Sequence, residues 1–81
     1  MTAEEEACSI HVIEFCRTHS RKLGAEFAKL GARSEDIAIG ALYSAFDLAL
    51  AHKGDPIAAI EFARTAFDLM ERSLLSGETI Q

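Results

Sequence analysis

The strongest local constraint on the fold of this 81-residue chain is the tripeptide Gly54-Asp55-Pro56. Glycine readily adopts the left-handed backbone angles that end a helix. Aspartate is a common N-cap, and proline is tolerated at the first helical position. The tripeptide therefore predicts that one helix ends near Lys53 and that another begins at Pro56. Because a turn this short leaves consecutive helices side by side, we expect an antiparallel hairpin.

Capping signals of the same kind mark two further helix boundaries. Thr2 and Glu5 have the spacing of a capping box, and Gly31 can end the helix that follows them. Ser34 is a candidate N-cap for the next helix. No segment has the two-residue hydrophobic period of a strand. The predicted helices span about 3–30, 35–53 and 56–76.

These helices predict a single all-α domain over residues 1–81, an up-down bundle of three helices with a long first helix. We expect residues 78–81 to fray. The polar run 17–22, followed by Gly24, leaves a second arrangement open. In it, helix 1 breaks near Ser20 and folds back to give a four-helix monomer.

The tetrapeptide Ala-Phe-Asp-Leu occurs twice, at residues 45–48 and 66–69. In both copies the aspartate falls on the polar side of its helix and the phenylalanine on the apolar side. We interpret the repeat as two helices that solve the same packing problem, and not as a repeated site. Phe46 and Phe67 are accordingly expected in the core, with Leu42 opposite Phe67.

Gly54-Asp55, followed by Ala59 and Ala66, gives residues 43–69 a resemblance to one unit of the tetratricopeptide family. The resemblance implies two antiparallel helices. It covers one unit at most, and one such unit cannot bury its own faces. It therefore describes a way of packing helices and implies no partner.

The lengths and faces of the helices predict a homodimer. A first helix of about 28 residues would be about 42 Å long, against about 30 Å for the other two, so part of its apolar stripe lacks cover. Helix 2 is apolar over more than half of its circumference and needs more than one neighbour. A two-fold contact would cover both surfaces. The interface candidates are Cys8, Val12 and Phe15 of helix 1 and Ala38, Ala41 and Ala45 of helix 2.

Two Cys-x-x-His pairs on helix 1 are the candidate metal ligands. Thiolate and imidazole suit zinc. However, a continuous helix holds Cys8 and His19 about 16 Å apart, so each pair would need two further ligands. The competing interpretation is that the cysteines pack as small apolar side chains. We expect neither a metal nor a cofactor; the residues in question are Cys8, His11, Cys16 and His19.

Charge and motif content exclude several classes of function. The net charge of −5 disfavours binding to nucleic acid or to an anionic membrane, since both require a positive field. The sequence contains no nucleophile motif, phosphate-binding loop or metalloprotease motif, so no enzyme is predicted. The first six residues lack the features of a secretory signal, which favours a cytoplasmic location with reduced thiols.

The sequence thus predicts a small cytoplasmic protein–protein interaction module that pairs with a second copy of itself. A regulatory role and a second, different protein partner are options within this prediction. The alternative is a helical protein that binds a metal or a small ligand through the Cys and His residues of helix 1.

Overall fold

The structure is a computed structural model that describes residues 2–77. These residues form two compact units, one up to Ile39 and one from Gly40 onward. The described residues contain no strand, and the three helices are α1 (Ala3–Lys29), α2 (Ser34–Lys53) and α3 (Pro56–Leu75). The prediction of an all-helical chain with three helices is confirmed. The predicted fraying of residues 78–81 lies outside the described residues.

The predicted capping residues form the start of α1. Thr2 has extended backbone angles, and its hydroxyl oxygen accepts a hydrogen bond from the backbone N–H of Glu5 at 3.2 Å. The same hydroxyl donates to the Glu5 carboxylate at 3.3 Å. Glu4, Glu5 and Glu6 in the first turn also complement the positive end of the helix dipole.

The first helix is continuous through Ser20 and Gly24, so a break at this point is excluded. A glycine inside a helix costs only about 1 kcal/mol relative to alanine, and the neighbouring Arg and Lys residues are good helix formers. At the C-terminal end, Gly31 has φ 91°, and the N–H of Ala32 donates to the carbonyl of Phe27 at 3.1 Å. This is the expected glycine-terminated end.

Within the first unit, α1 meets the first turn of α2 at Gly24. A Cβ atom placed on Gly24 would lie 3.3 Å from Cγ2 of Ile37. The glycine that interrupts the polar run therefore allows a close approach of Ile37. The role of Gly24 is therefore in packing, and α1 remains helical at this residue.

The second helix begins at Ser34, one residue earlier than predicted. The N–H of Ile37 donates to the carbonyl of Arg33 at 3.1 Å, which adds a residue to the helix. The Arg33 guanidinium also pairs with Glu35 at 2.7 Å and approaches Asp36 at 3.9 Å. Backbone and charge interactions at Arg33 thus define the start of α2.

The turn between α2 and α3 has the predicted chemistry. Gly54 has φ 77°, and its N–H donates to the carbonyl of Leu50 at 2.7 Å. Asp55 is extended, and its Oδ2 accepts from the N–H of Ala58 at 2.8 Å. Pro56 is the first residue of α3. The local boundary signals are therefore confirmed here.

The buried residues of the second unit are small. In the part of the chain that the structure describes, the only buried residues are Ala49, 7% exposed, and Ala59, fully buried. Phe46 is largely buried, but Leu42 and Phe67 are each 53% exposed. The expectation that Leu42 and Phe67 form part of a core is therefore wrong. Both buried alanines lie near the turn between α2 and α3, and small side chains suit closely packed helices.

Candidate functional site

One face of α1 carries the predicted interface residues Cys8, Val12 and Phe15. All three are exposed, Val12 by 56% and Phe15 by 64%. Exposed apolar side chains that recur on one helix face are typical of a surface that packs against another helix. This face is the first part of the candidate site.

An aromatic contact aligns two side chains on that face. The rings of Phe15 and His19 stack with their centroids 4.2 Å apart and their planes at 29°. Residues four apart on a helix are neighbours, so the spacing alone could have predicted this contact. The stack holds the phenylalanine and the imidazole together on the same side of α1.

The intramolecular contact of α1 at Gly24 lies on a different side of the helix. At about 100° per residue, Gly24 is about 180° from Phe15 and about 160° from Cys8. Ile37 therefore approaches the helix from the side opposite these two residues. Within the first unit, the face of Cys8 and Phe15 is the one turned away from Ile37.

The alanines predicted for the interface, Ala38, Ala41 and Ala45, are all exposed on α2. The next residue of the same flank, Ala49, is buried. The alanine flank is therefore packed at its end near the turn, at Ala49. Earlier in α2 it presents exposed small side chains to solvent. A surface of small residues lets another backbone approach closely.

The four candidate metal ligands all lie on α1. Cys8 and Cys16 are free, exposed thiols, and the continuous helix keeps Cys8 about 16 Å from His19 along its axis. Among residues 2–77, no group of three or more His, Cys, Asp or Glu side chains is placed to hold a metal ion. Within a single chain, these residues are therefore not brought together.

An apolar groove lies in the second unit and was not predicted from the sequence. Leu42, Tyr43, Phe46 and Ile60 line a volume of about 330 Å³. Tyr43 contributes to this groove and is 69% exposed. Ligand pockets of this size usually enclose most of their ligand, but this groove is open to solvent.

A small aromatic cluster stands beside the turn that joins α2 and α3. The His52 ring meets Phe62 edge-on at 5.3 Å between centroids, and Lys53 Nζ lies 5.4 Å from the centre of the same ring. A cation over an aromatic face contributes about 0.5–1 kcal/mol at an exposed site. The cluster therefore stabilises the end of the hairpin.

No helix formed by the described residues combines the length and apolarity that crossing a membrane requires. Comparison of the chain with protein-family models, curated proteins and solved structures gave no match.

We predict that Cys8→Ala and Cys16→Ala change the free energy of unfolding by less than about 1 kcal/mol, because exposed side chains contribute little to stability. Neither variant should change the metal content of the purified protein, which we expect to be zero. Chemical denaturation and elemental analysis measure the two quantities. A stoichiometric metal in the wild-type protein that disappears in either variant would contradict the prediction.

Proposed function

We propose that this chain is a small helical protein–protein interaction module whose first partner is a second copy of itself. The observation that carries the proposal is the size of the buried residues. Between residues 2 and 77, only two alanines are buried, and no large side chain is completely enclosed. A folded chain normally gains most of its stability by burying larger apolar groups.

The exposed apolar residues support the proposal that the chain binds a partner through an apolar surface. Val12, Phe15 and Leu23 of α1 are each more than half exposed, as are Leu48 and Ile57 of the second unit. Single exposed apolar residues are ordinary, but many on consecutive helix turns indicate an interaction surface. Small domains commonly compensate for a thin core by forming oligomers.

Two surfaces are assigned to the self-contact. The first is the α1 face that carries Cys8, Val12 and Phe15, and the second is the α2 flank that carries the exposed alanines. A two-fold contact uses the same patch on both copies, so each surface needs to complement only itself or the other. The net charge of −5 favours a protein partner over nucleic acid.

The proposal includes a cytoplasmic location. The two cysteines are unpaired and exposed, and exposed thiols persist best in a reducing compartment.

Sedimentation equilibrium of the purified protein tests the proposal. We expect a reversible equilibrium whose upper limit is twice the 8.8 kDa chain mass. The weight-average mass should rise with protein concentration and fall on dilution. A single species at the chain mass, persisting at high micromolar concentration, would overturn the proposal.

A further inference from the structure

Six residues of α1 form a continuous line along one side of the helix. They are separated alternately by three and four residues, the spacing that keeps side chains on one face of a helix that pairs with another. We name this line the α1 seam; it consists of Glu5, Cys8, Val12, Phe15, His19 and Lys22.

Within the first unit, the α1 seam is exposed and lies away from the contact that α1 makes with Ile37. The stacked rings of Phe15 and His19 lie on it. The close contact between Gly24 and Ile37 is on the other side of the helix. All six seam residues are exposed.

The two ends of the seam carry opposite charges. Glu5 stands near the N-terminal end, next to Glu4 and Glu6, and Lys22 stands near the other end, next to Arg21. In a parallel pair of copies, each end would face its own like charge. In an antiparallel pair, each acidic end meets a basic end, and complementary charges select orientation and register.

We propose that α1 pairs with α1 of a second copy, antiparallel and in one register along the seam. In this register Glu5 faces Lys22 of the second copy, Cys8 faces His19, and Val12 faces Phe15. Each pair occurs twice because the contact is two-fold, and the seam spans about 26 Å. The inference rests on the proposed function, because it requires the dimer.

A shift by one heptad in either direction removes this complementarity. One shift places Glu5 against Phe15 of the second copy, and the other places Lys22 against Val12. Both put a charged group on an apolar side chain, which is unfavourable. The register proposed here is the one that matches apolar with apolar and acid with base.

Charge reversal provides the first experiment. Lys22→Glu places like charges at both ends and should weaken the dimer about tenfold, whereas Glu5→Lys combined with Lys22→Glu should restore it. The backbone cap at Thr2 does not require the Glu5 carboxylate, so the double variant keeps its helix start. Arg72→Glu on α3 is the matched control and should leave the dissociation constant unchanged. Failure of the double variant to recover would contradict the register.

Cysteine cross-linking provides the second experiment, because a disulfide forms only when two Cα atoms approach within about 7 Å. Three proteins are prepared: Cys16→Ser, with Cys8 as its only thiol; Cys8→Ser/Cys16→Ser/His19→Cys, with residue 19 as its only thiol; and Cys16→Ser/His19→Cys, with both. Diamide is the oxidant and takes up the two electrons and two protons that each pair of thiols releases. Circular dichroism verifies that each variant remains helical.

We expect cross-linked dimer from the two-thiol protein and from an equimolar mixture of the two single-thiol proteins, but not from either single-thiol protein alone. An intrachain bridge between positions 8 and 19 is excluded by their separation along the helix. Cross-linking of each single-thiol protein with itself would show a parallel pair and overturn the register. Absence of cross-linking in a protein that sediments as a dimer would overturn the α1 contact but not the dimer. A wild-type protein that sediments as a monomer would overturn both.

Discussion

Replacing Val12 by aspartate is expected to convert the proposed dimer into monomer over the micromolar concentration range. Burial of a valine side chain contributes about 1.5–3 kcal/mol, and a two-fold contact contains this side chain twice. Since each 1.4 kcal/mol is a factor of ten, the dissociation constant should rise by about a hundredfold or more. Sedimentation equilibrium measures the change, and circular dichroism establishes that α1 remains helical.

The matched control for this prediction is Ile10→Asp. Ile10 and Val12 have the same exposed fraction, 56%, but they point about 160° apart around the helix. We expect Ile10→Asp to alter the dissociation constant by no more than a few-fold. If Ile10→Asp dissociates the dimer and Val12→Asp does not, the contact lies on the opposite face of α1, and the assigned surface is wrong.

Replacing Phe46 by alanine is expected to lower the free energy of unfolding by about 3 kcal/mol, the largest loss of stability that we predict for the second unit. Phe46 is largely buried and lines the groove with Leu42, Tyr43 and Ile60. The expected value lies at the low end of the range for buried phenylalanine because the side chain is not fully enclosed. Chemical denaturation at one fixed protein concentration measures it, since the proposed dimerisation would itself add to the stability of the fold.

Two controls separate packing from a repeated site. Asp47→Ala, a neighbouring surface change, should cost less than about 0.5 kcal/mol. Phe67→Ala should cost about half as much as Phe46→Ala because Phe67 is 53% exposed. If the aspartate change destabilises the protein as much as the Phe46 change, then the interpretation of the repeated tetrapeptide as packing fails.

The helix boundaries could be predicted from the sequence because their causes are local. Thr2, Gly31 and Asp55 act through hydrogen bonds or backbone angles within a few residues of themselves. Ser34 is the exception. The backbone carbonyl of Arg33, supported by ion pairs with Glu35 and Asp36, starts α2 one residue earlier, and a ranking of capping residues does not include that contribution.

The repeated tetrapeptide shows that hydrophobic periodicity alone could not predict how deeply each phenylalanine is buried. Hydrophobic periodicity places Phe46 and Phe67 on the apolar sides of their helices, but periodicity gives only a direction around each axis. How deeply a side chain is buried depends on the distance and crossing angle between helices. Phe46 is largely buried and Phe67 is not, although both lie in the same tetrapeptide.

The candidate site divides in the same way. The exposed face with Cys8, Val12 and Phe15 was predicted from the length of helix 1 and its apolar stripe. The groove beside Tyr43 was not predicted, because it arises from the way two helices lie against each other. The contact between Gly24 and Ile37 was also not predicted. A glycine that follows a polar run can mark either a helix break or a close packing contact, and the sequence does not distinguish the two.

The sequence by itself determined the all-helical class and the chemistry of the helix ends, because capping and helix propensity act over one turn of chain. Only the tertiary structure decided that α1 continues through Ser20. It also decided that Ala49 and Ala59 are the buried residues in the described part of the chain. Helix propensity did not by itself distinguish a continuous α1 from a broken one. The burial of the two alanines depends on contacts between helices, where close packing favours the side chain that fits the available space. Near the turn, the side chains that meet this condition are those of two alanines.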